Sequence, residues 1–285
     1  GTGVHQDHKQ AVYWFQKAAD QGYASAQYFL AAKYVEGLGV HQDHKQAVYW
    51  FQKAADQGHA IAQYLLAVMF SKGKGVHKDH KQAVYWSQKA ADQGYIDAQL
   101  FLGAKYYYGK GVHQDHKQAA YWYQKAADLG NLDAQLYLGT MYNDGTGVHQ
   151  DHKQAAYWYQ KAVDQGHAGA QFRLGYMYHE GLGVHQDHKQ AVYWYQKAAD
   201  QGDAGAQFSL GYMYHEGLGV HQDHKQAVYW FQKAADQGDA SAQYNLGYMY
   251  DKGLGVQQDY KQALYWFQKA ADQGHKRAIE SLRNM

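Results

Sequence analysis

The chain has 285 residues, with 27 Lys or Arg against 26 Asp or Glu and 19 His, for a formal charge of +1. Near-neutrality leaves no global field to gather nucleic acid or an anionic membrane surface, and no apolar run approaches the ~18 residues of a membrane span. There is no Cys and no Pro; this excludes disulfides and thiolate metal sites and suits a nearly all-helical chain with glycine-marked corners.

The first element contains the plan of the rest. Residues 3–22 read GVHQDHKQAVYWFQKAADQG, and Trp14 returns as Trp50, Trp86, Trp122, Trp158, Trp194, Trp230 and Trp266, at a spacing of 36. A fixed period of this size is the mark of a stacked repeat array. Asp7 followed by Gln10 is spaced as a capping box. Ala11, Trp14, Phe15 and Ala18 then fall on one helical face, and Gly22 supplies a stop. The pattern predicts a helix over 7–21, termed B. Ala26, Leu30 and Tyr34 mark a second helix, A, that runs to about Glu36, and Gly37 and Gly39 form the corner into the next unit. Repetition of such antiparallel pairs predicts an all-α solenoid. Units begin near 22, 58, 94, 130, 166, 202 and 238 within a single domain of residues 1–285. Residues 1–21 form a lone B helix, as if the chain began in mid-repeat. Residues 275–285 keep Ala278 and Leu282 but are otherwise polar, as a C-terminal capping helix should be.

The stretch from Ala134 to Gly166, AQLYLGTMYNDGTGVHQDHKQAAYWYQKAVDQG, resembles the Sel-one-like repeat (SLR), a relative of the tetratricopeptide repeat, and the resemblance extends over eight registers. It departs from the family in having His after the capping Asp in seven copies, where the family usually has an aromatic, and in lacking the disulfide-forming cysteines of some bacterial members. The resemblance implies a non-catalytic bacterial adaptor that binds a protein or peptide. A right-handed α/α superhelix, a monomer and no cofactor are expected with it, and the charge balance and hydropathy exclude nucleic acid and membrane insertion. The sequence does not fix the compartment, with a periplasmic or secreted location favoured over a cytoplasmic one. An inhibitor or immunity protein that occludes a toxin is the second expectation, and a histidine-rich metal or pH sensor the third.

Comparison among the copies separates two faces of helix A. Turning about 100° per residue from Leu30, Ala26, Gln27 and Tyr34 share its face, whereas positions 25, 29, 32 and 36 lie on another. The second face varies between copies. It carries Phe29, Leu65, Phe101, Tyr108 and Tyr137 in the first half, then Arg173, Tyr176, Tyr212, Asn245 and Tyr248. Position 35 varies alongside, as Val35, Ser71, Tyr107, Asn143, His179, His215 and Asp251. Aromatic and Arg side chains are typical interface anchors, and the family resemblance places helix A along the concave groove. These residues are therefore the expected partner site, against the plainer expectation that rings such as Phe29 and Phe101 pack between adjacent A helices.

The His-x-Asp-His block occurs seven times, beginning with His5 and His8, and continuing with His41 and His44, and with His113 and His116. Stacked at the corners, two imidazoles and a carboxylate could serve Zn²⁺ or Ni²⁺. The Asp is already committed to capping, however, and a helix N-terminus repels cations, so no metal is assigned. Ser71-Lys72-Gly73-Lys74 matches Ser-x-x-Lys, but the companion motifs of penicillin-recognising enzymes are missing. Gly37-Leu38-Gly39 lacks both the third glycine and the preceding strand of a dinucleotide loop. No enzyme is expected. Tyr13 and its equivalents are expected to pack.

Overall fold

The computed structural model describes residues 7–284. Among them are sixteen helices and no strand: α1 (His8–Asp20), α2 (Ala24–Glu36), α3 (His44–Asp56), α4 (Ala60–Lys72), α5 (His80–Asp92), α6 (Ile96–Tyr108), α7 (His116–Asp128), α8 (Leu132–Asp144), α9 (His152–Val163), α10 (Ala168–Glu180), α11 (His188–Asp200), α12 (Ala204–Glu216), α13 (His224–Asp236), α14 (Ala240–Lys252), α15 (Tyr260–Asp272) and α16 (Lys276–Asn284). Odd-numbered helices are the B type and even-numbered ones the A type. The chain forms two compact units: one reaches Met141 and takes in Gly145–His149, and the other takes Tyr142–Asp144 and continues from Gln150. Within each unit, helices consecutive in the chain pack on one another. This is the solenoid architecture that the 36-residue period dictates.

Each B helix starts at an aspartate. Asp43 Oδ1 accepts from the backbone N–H of Lys45 and Gln46 at 2.8 and 3.0 Å, which satisfies donors that the first turn leaves unpaired. The capping box is only half present. The Asp43 N–H donates to Tyr34 O at 2.9 Å, so the incoming A helix takes the place of the reciprocal Gln. A different glutamine closes the corner: Gln42 Nε2 donates to Val35 O at 2.7 Å. The A helices end at glycine, Gly37 having φ 71 and donating to Lys33 O.

A second corner glycine is set by close approach. At Gly75 (φ +73), an added Cβ would run into the His44 carbonyl at the start of α3. Successive units can therefore touch backbone to backbone only where this residue has no side chain.

The core of the first unit is a seam of Ala47, Trp50, Phe51, Ala54, Ala62 and Leu66, with Trp86 from the next copy. Large rings set between alanines bring the helices close and bury the apolar stripe, the main source of stability in such arrays. One polar residue lies inside the seam. Gln27 is 3% exposed and donates to Ala19 O at 3.2 Å, while its Oε1 accepts from Gln57 Nε2 at 2.8 Å. Gln27 is thus bonded on either side of its own A helix, which is why a buried amide is tolerated there. The relay recurs at Gln63–Gln93, Gln171–Gln201, Gln207–Gln237 and Gln243–Gln273.

Candidate functional site

The variable positions of helix A are in part open to solvent. Phe29 on α2 is 47% exposed and Tyr137 on α8 is 45% exposed, while Tyr108 at the end of α6 reaches 62%. Leu65 and Phe101 are half-buried, and their inner edges pack against the core seam. Leu65 lines a depression of about 330 Å³ with Tyr28, Val35, Phe51 and Met69. Phe101 and Tyr137 line another, of about 240 Å³, with Tyr64, Asp97 and Asp133. Ring contacts hold these anchors in place: Phe29 stacks on Phe15 at 5.3 Å, and Tyr137 lies 5.2 Å from Tyr123. In the second unit Arg173, Tyr176 and Tyr212 are exposed. Asn245 is turned onto its own helix, its Nδ2 donating to Ser241 O at 2.8 Å. Tyr248 meets the His215 ring edge-on at 6.4 Å.

Among the described residues the corner histidines are not grouped as a cation cage. His41, His113 and their equivalents are exposed, whereas His44, His116 and theirs are half-buried at the helix starts. The aspartate between them accepts from backbone N–H groups, which commits its carboxylate to the cap. Among the described residues no group of three His, Asp or Glu is placed to hold a metal ion. His8 is half-buried at the start of α1, and His5 lies outside the described residues.

The inner histidine of each block has another role that sequence spacing did not reveal. In four blocks it meets position 35 of the preceding A helix, nine residues earlier. His152 Nδ1 lies 3.2 Å from Asn143 Oδ1. His116 takes the ring of Tyr107 at 5.0 Å, His188 that of His179 at 5.1 Å, and His224 that of His215 at 5.1 Å. Nδ1 of His44, beside the apolar Val35, is buried without a hydrogen-bond partner, as is Nδ1 of both members of the two His–His pairs. One variable residue thus sets the environment of each corner imidazole. Burial pushes the pKa of His179 and His215 down, opposed by Glu180 and Glu216 and reinforced by His188 and His224.

At Ser71 a third residue joins the corner. Lys105 Nζ on α6 donates to Ser71 Oγ at 2.7 Å, lies 3.5 Å from His80 Nδ1 and sits 4.6 Å above the Phe101 ring. Burial, with Lys110 and Lys78 adding like charge, holds this ammonium below its ordinary range.

The repeat-invariant tyrosines also behave differently from expectation. Tyr13, Tyr49, Tyr85 and their equivalents are about half exposed, between 47% and 51%. Tyr49 sets its edge on Trp50 at 4.9 Å, and Lys53 Nζ lies 4.9 Å above its ring. The same Tyr–Lys contact recurs on every B helix, so these rings do pack, but on the outer surface. Tyr13 lies two residues from Phe15 and therefore off the buried face, a signal already present in the sequence.

The chain matches the Sel1 repeat along residues 1–23, 24–59, 60–95, 96–131, 132–167, 168–203, 204–239 and 240–275. Among solved structures it is similar to a protective antigen present in uropathogenic Escherichia coli strains that displays an SLR fold, with 38% identity and a TM-score of 0.88 over 94% of this chain. The chain spans 57% of the length of that antigen. It is also similar to a Sel1 repeat protein from Oxalobacter formigenes, with 36% identity and a TM-score of 0.79 over 99% of this chain and 82% of the other. A comparison with curated proteins finds no match.

Proposed function

The chain belongs to the Sel1 repeat family, and from that premise we propose that it is a non-catalytic scaffold holding a protein or peptide partner against the open face of its A helices. The observation that carries this is the exposure of Phe29, Tyr108 and Tyr137 on the one helix face that differs from copy to copy. Elsewhere the repeat keeps its large side chains constant because packing demands it. Rings left in water on a variable face are a cost to solubility that a partner removes. The two depressions beside Leu65 and Phe101 give such a partner places to seat apolar side chains. The outer B-helix tyrosines are exposed to a similar degree, but they are the same in every copy and each rests on its own Lys and Trp. They belong to the repeat itself, whereas the A-face rings differ from copy to copy. Sel1 repeats build scaffolds, and no helix among the described residues is long and apolar enough to cross a membrane.

The test compares the two faces. A photo-crosslinking residue is placed at Phe29 or Tyr137 on the A face, and at Tyr49 or Tyr121 on the B face, and the chain is exposed to extract from its source. One discrete partner should crosslink from the A-face positions alone. The double substitution Phe29→Ser and Tyr137→Ser should weaken its capture on the order of a thousandfold, with each anchor contributing about 2 kcal/mol. Crosslinks confined to the B face would reject the proposal. If the captured protein is a toxin or effector that loses activity when bound, the chain is its inhibitor through the same face.

A further inference from the structure

Lys105 departs from the repeat in a way that packing does not explain. Its register is filled by Met69, Met141, Met177, Met213 and Met249 in five other copies, all buried in the core. In the first copy it is Lys33, and there Glu36 lies 3.7 Å from the ammonium, one helical turn away. The residue one turn beyond Lys105 is Tyr108. Lys105 is nevertheless the more buried of the two lysines, at 6% exposure. A charge taken out of water without a partner is costly, and proteins pair it or neutralise it.

The neighbours sharpen the imbalance. Ser71 Oγ at 2.7 Å is a hydrogen-bond partner but carries no charge. His80 Nδ1 at 3.5 Å can add only positive charge. Lys78 and Lys110 act on both Lys105 and His80 in the same sense, and the Asp79 carboxylate opposes them at His80 only. Asp79 is in turn engaged as the α5 cap, accepting from the N–H of Lys81 and Gln82 at 2.8 and 3.1 Å. Two of these neighbours are local departures as well: Lys78 stands where the other copies have Gln, and Ser71 stands on the variable position 35. Ser71 and His80 are part-exposed, and Lys78 and Lys110 are exposed, so the cluster opens to solvent on that side.

We propose that Lys105, Ser71 and His80 form a binding site for a single small oxyanion, a carboxylate or a phosphate, with Lys78 and Lys110 at its mouth. The oxyanion accepts from the ammonium, the hydroxyl and an imidazole N–H, and supplies the negative charge that Glu36 gives Lys33. Charge-assisted bonds of this kind are the stronger class of hydrogen bond. The source is either a free ion or an acidic group on a docked partner. The site stands apart from the docking proposal above, because inorganic ions can occupy it with no partner present.

The full chain and its Lys105→Met variant are titrated with sodium phosphate or sodium acetate against sodium chloride at constant ionic strength. Thermal melting and the amide resonances of residues 71, 80 and 110 are followed. Acetate represents a carboxylate and phosphate a phosphoryl group, so the ion that binds more tightly identifies the source chemistry. In the wild type, Tm should rise and the three resonances should move saturably with at least one of the two. In Lys105→Met, which installs the residue found in five other copies, affinity should fall at least roughly tenfold. Should that variant fail to fold, Lys105→Gln removes the charge with little change in length and must show the same loss. An absent response in the wild type, or an equal response in the variant, overturns the proposal.

Discussion

Leu129 interrupts the buried glutamine relay and should be the most easily repaired position in the chain. In five other copies its register is a Gln whose amide donates to the buried Gln thirty residues earlier, at 2.8–2.9 Å. Opposite Leu129 that acceptor is Gln99, whose Oε1 is buried with no hydrogen-bond partner. The backbone already suits the repair: Leu129 has φ −85 and ψ 6, and Gln93, which makes the bond one copy earlier, has φ −82 and ψ 2. An orphaned buried acceptor costs about 1–3 kcal/mol. Leu129 is 54% exposed, so its replacement forfeits only about 1 kcal/mol of apolar burial. Leu129→Gln should therefore stabilise the first unit by about 1 kcal/mol, and Gln93→Leu should destabilise it by a similar amount. Urea unfolding followed by circular dichroism gives both values. Amide exchange in α5 to α7 shows whether the change is local. If Leu129→Gln lowers stability, or Gln93→Leu leaves it untouched, the relay contributes nothing and its recurrence only accompanies the repeat.

Two further outcomes follow from the corners. Gly58 (φ +87) has no atom within 4 Å of an added Cβ, whereas at Gly75 (φ +73) the Cβ would meet the His44 carbonyl. Both alanine variants incur about 1–2 kcal/mol of left-handed strain. Only Gly75→Ala also forces two backbones apart, so it should melt lower than Gly58→Ala by an amount worth about 2 kcal/mol or more; equal melting temperatures would place the close approach in error. The His179–His188 and His215–His224 pairs make stability depend on pH. Burial lowers the folded pKa of His179 and His215 below the unfolded value of about 6.5. The folded state then binds fewer protons, so their contribution is complete above that value and is lost as pH falls through the folded pKa. Tm should be lower at pH 5 than at pH 7.5, and the difference should narrow when His179 and His215 are both changed to Asn, the residue that meets His152 in a neighbouring copy. An unaltered difference in the double variant would locate the acid sensitivity elsewhere.

The 36-residue period made most of the fold legible, because packing repeats when sequence does. The Asp cap, the glycine stops and the face shared by Ala26 and Leu30 all follow from local rules. The exposed A-helix face was legible for a related reason: side chains that packing does not constrain are free to differ. What local rules cannot show is which residues meet across units. Ser71 was weighed against Lys74, three residues away, but its hydrogen-bond partner is Lys105, thirty-four residues away on α6. The capping box was spaced correctly at Asp43 and Gln46, yet the Tyr34 carbonyl displaced its second half. Leu65 and Phe101 lie on the variable face and still pack inward, because a large ring at the rim of a helix pair covers core and faces water at once.

The paired Tyr and Trp on every B helix also determine how the molecule handles light. Each phenol lies 4.8–5.1 Å from the indole that follows it, close enough for excitation absorbed by those tyrosines to pass to tryptophan. Six of the indoles, at Trp50, Trp86, Trp122, Trp158, Trp230 and Trp266, are only 4–6% exposed. Five of the six have an indole N–H with no hydrogen-bond partner, so solvent relaxation is suppressed and their emission is shifted to the blue. Trp14 is 60% exposed and emits to the red of them. Emission collected at the red edge of the band therefore weights Trp14 on α1, while emission at its blue edge weights the buried indoles, and a single unlabelled sample yields separate optical records of the two.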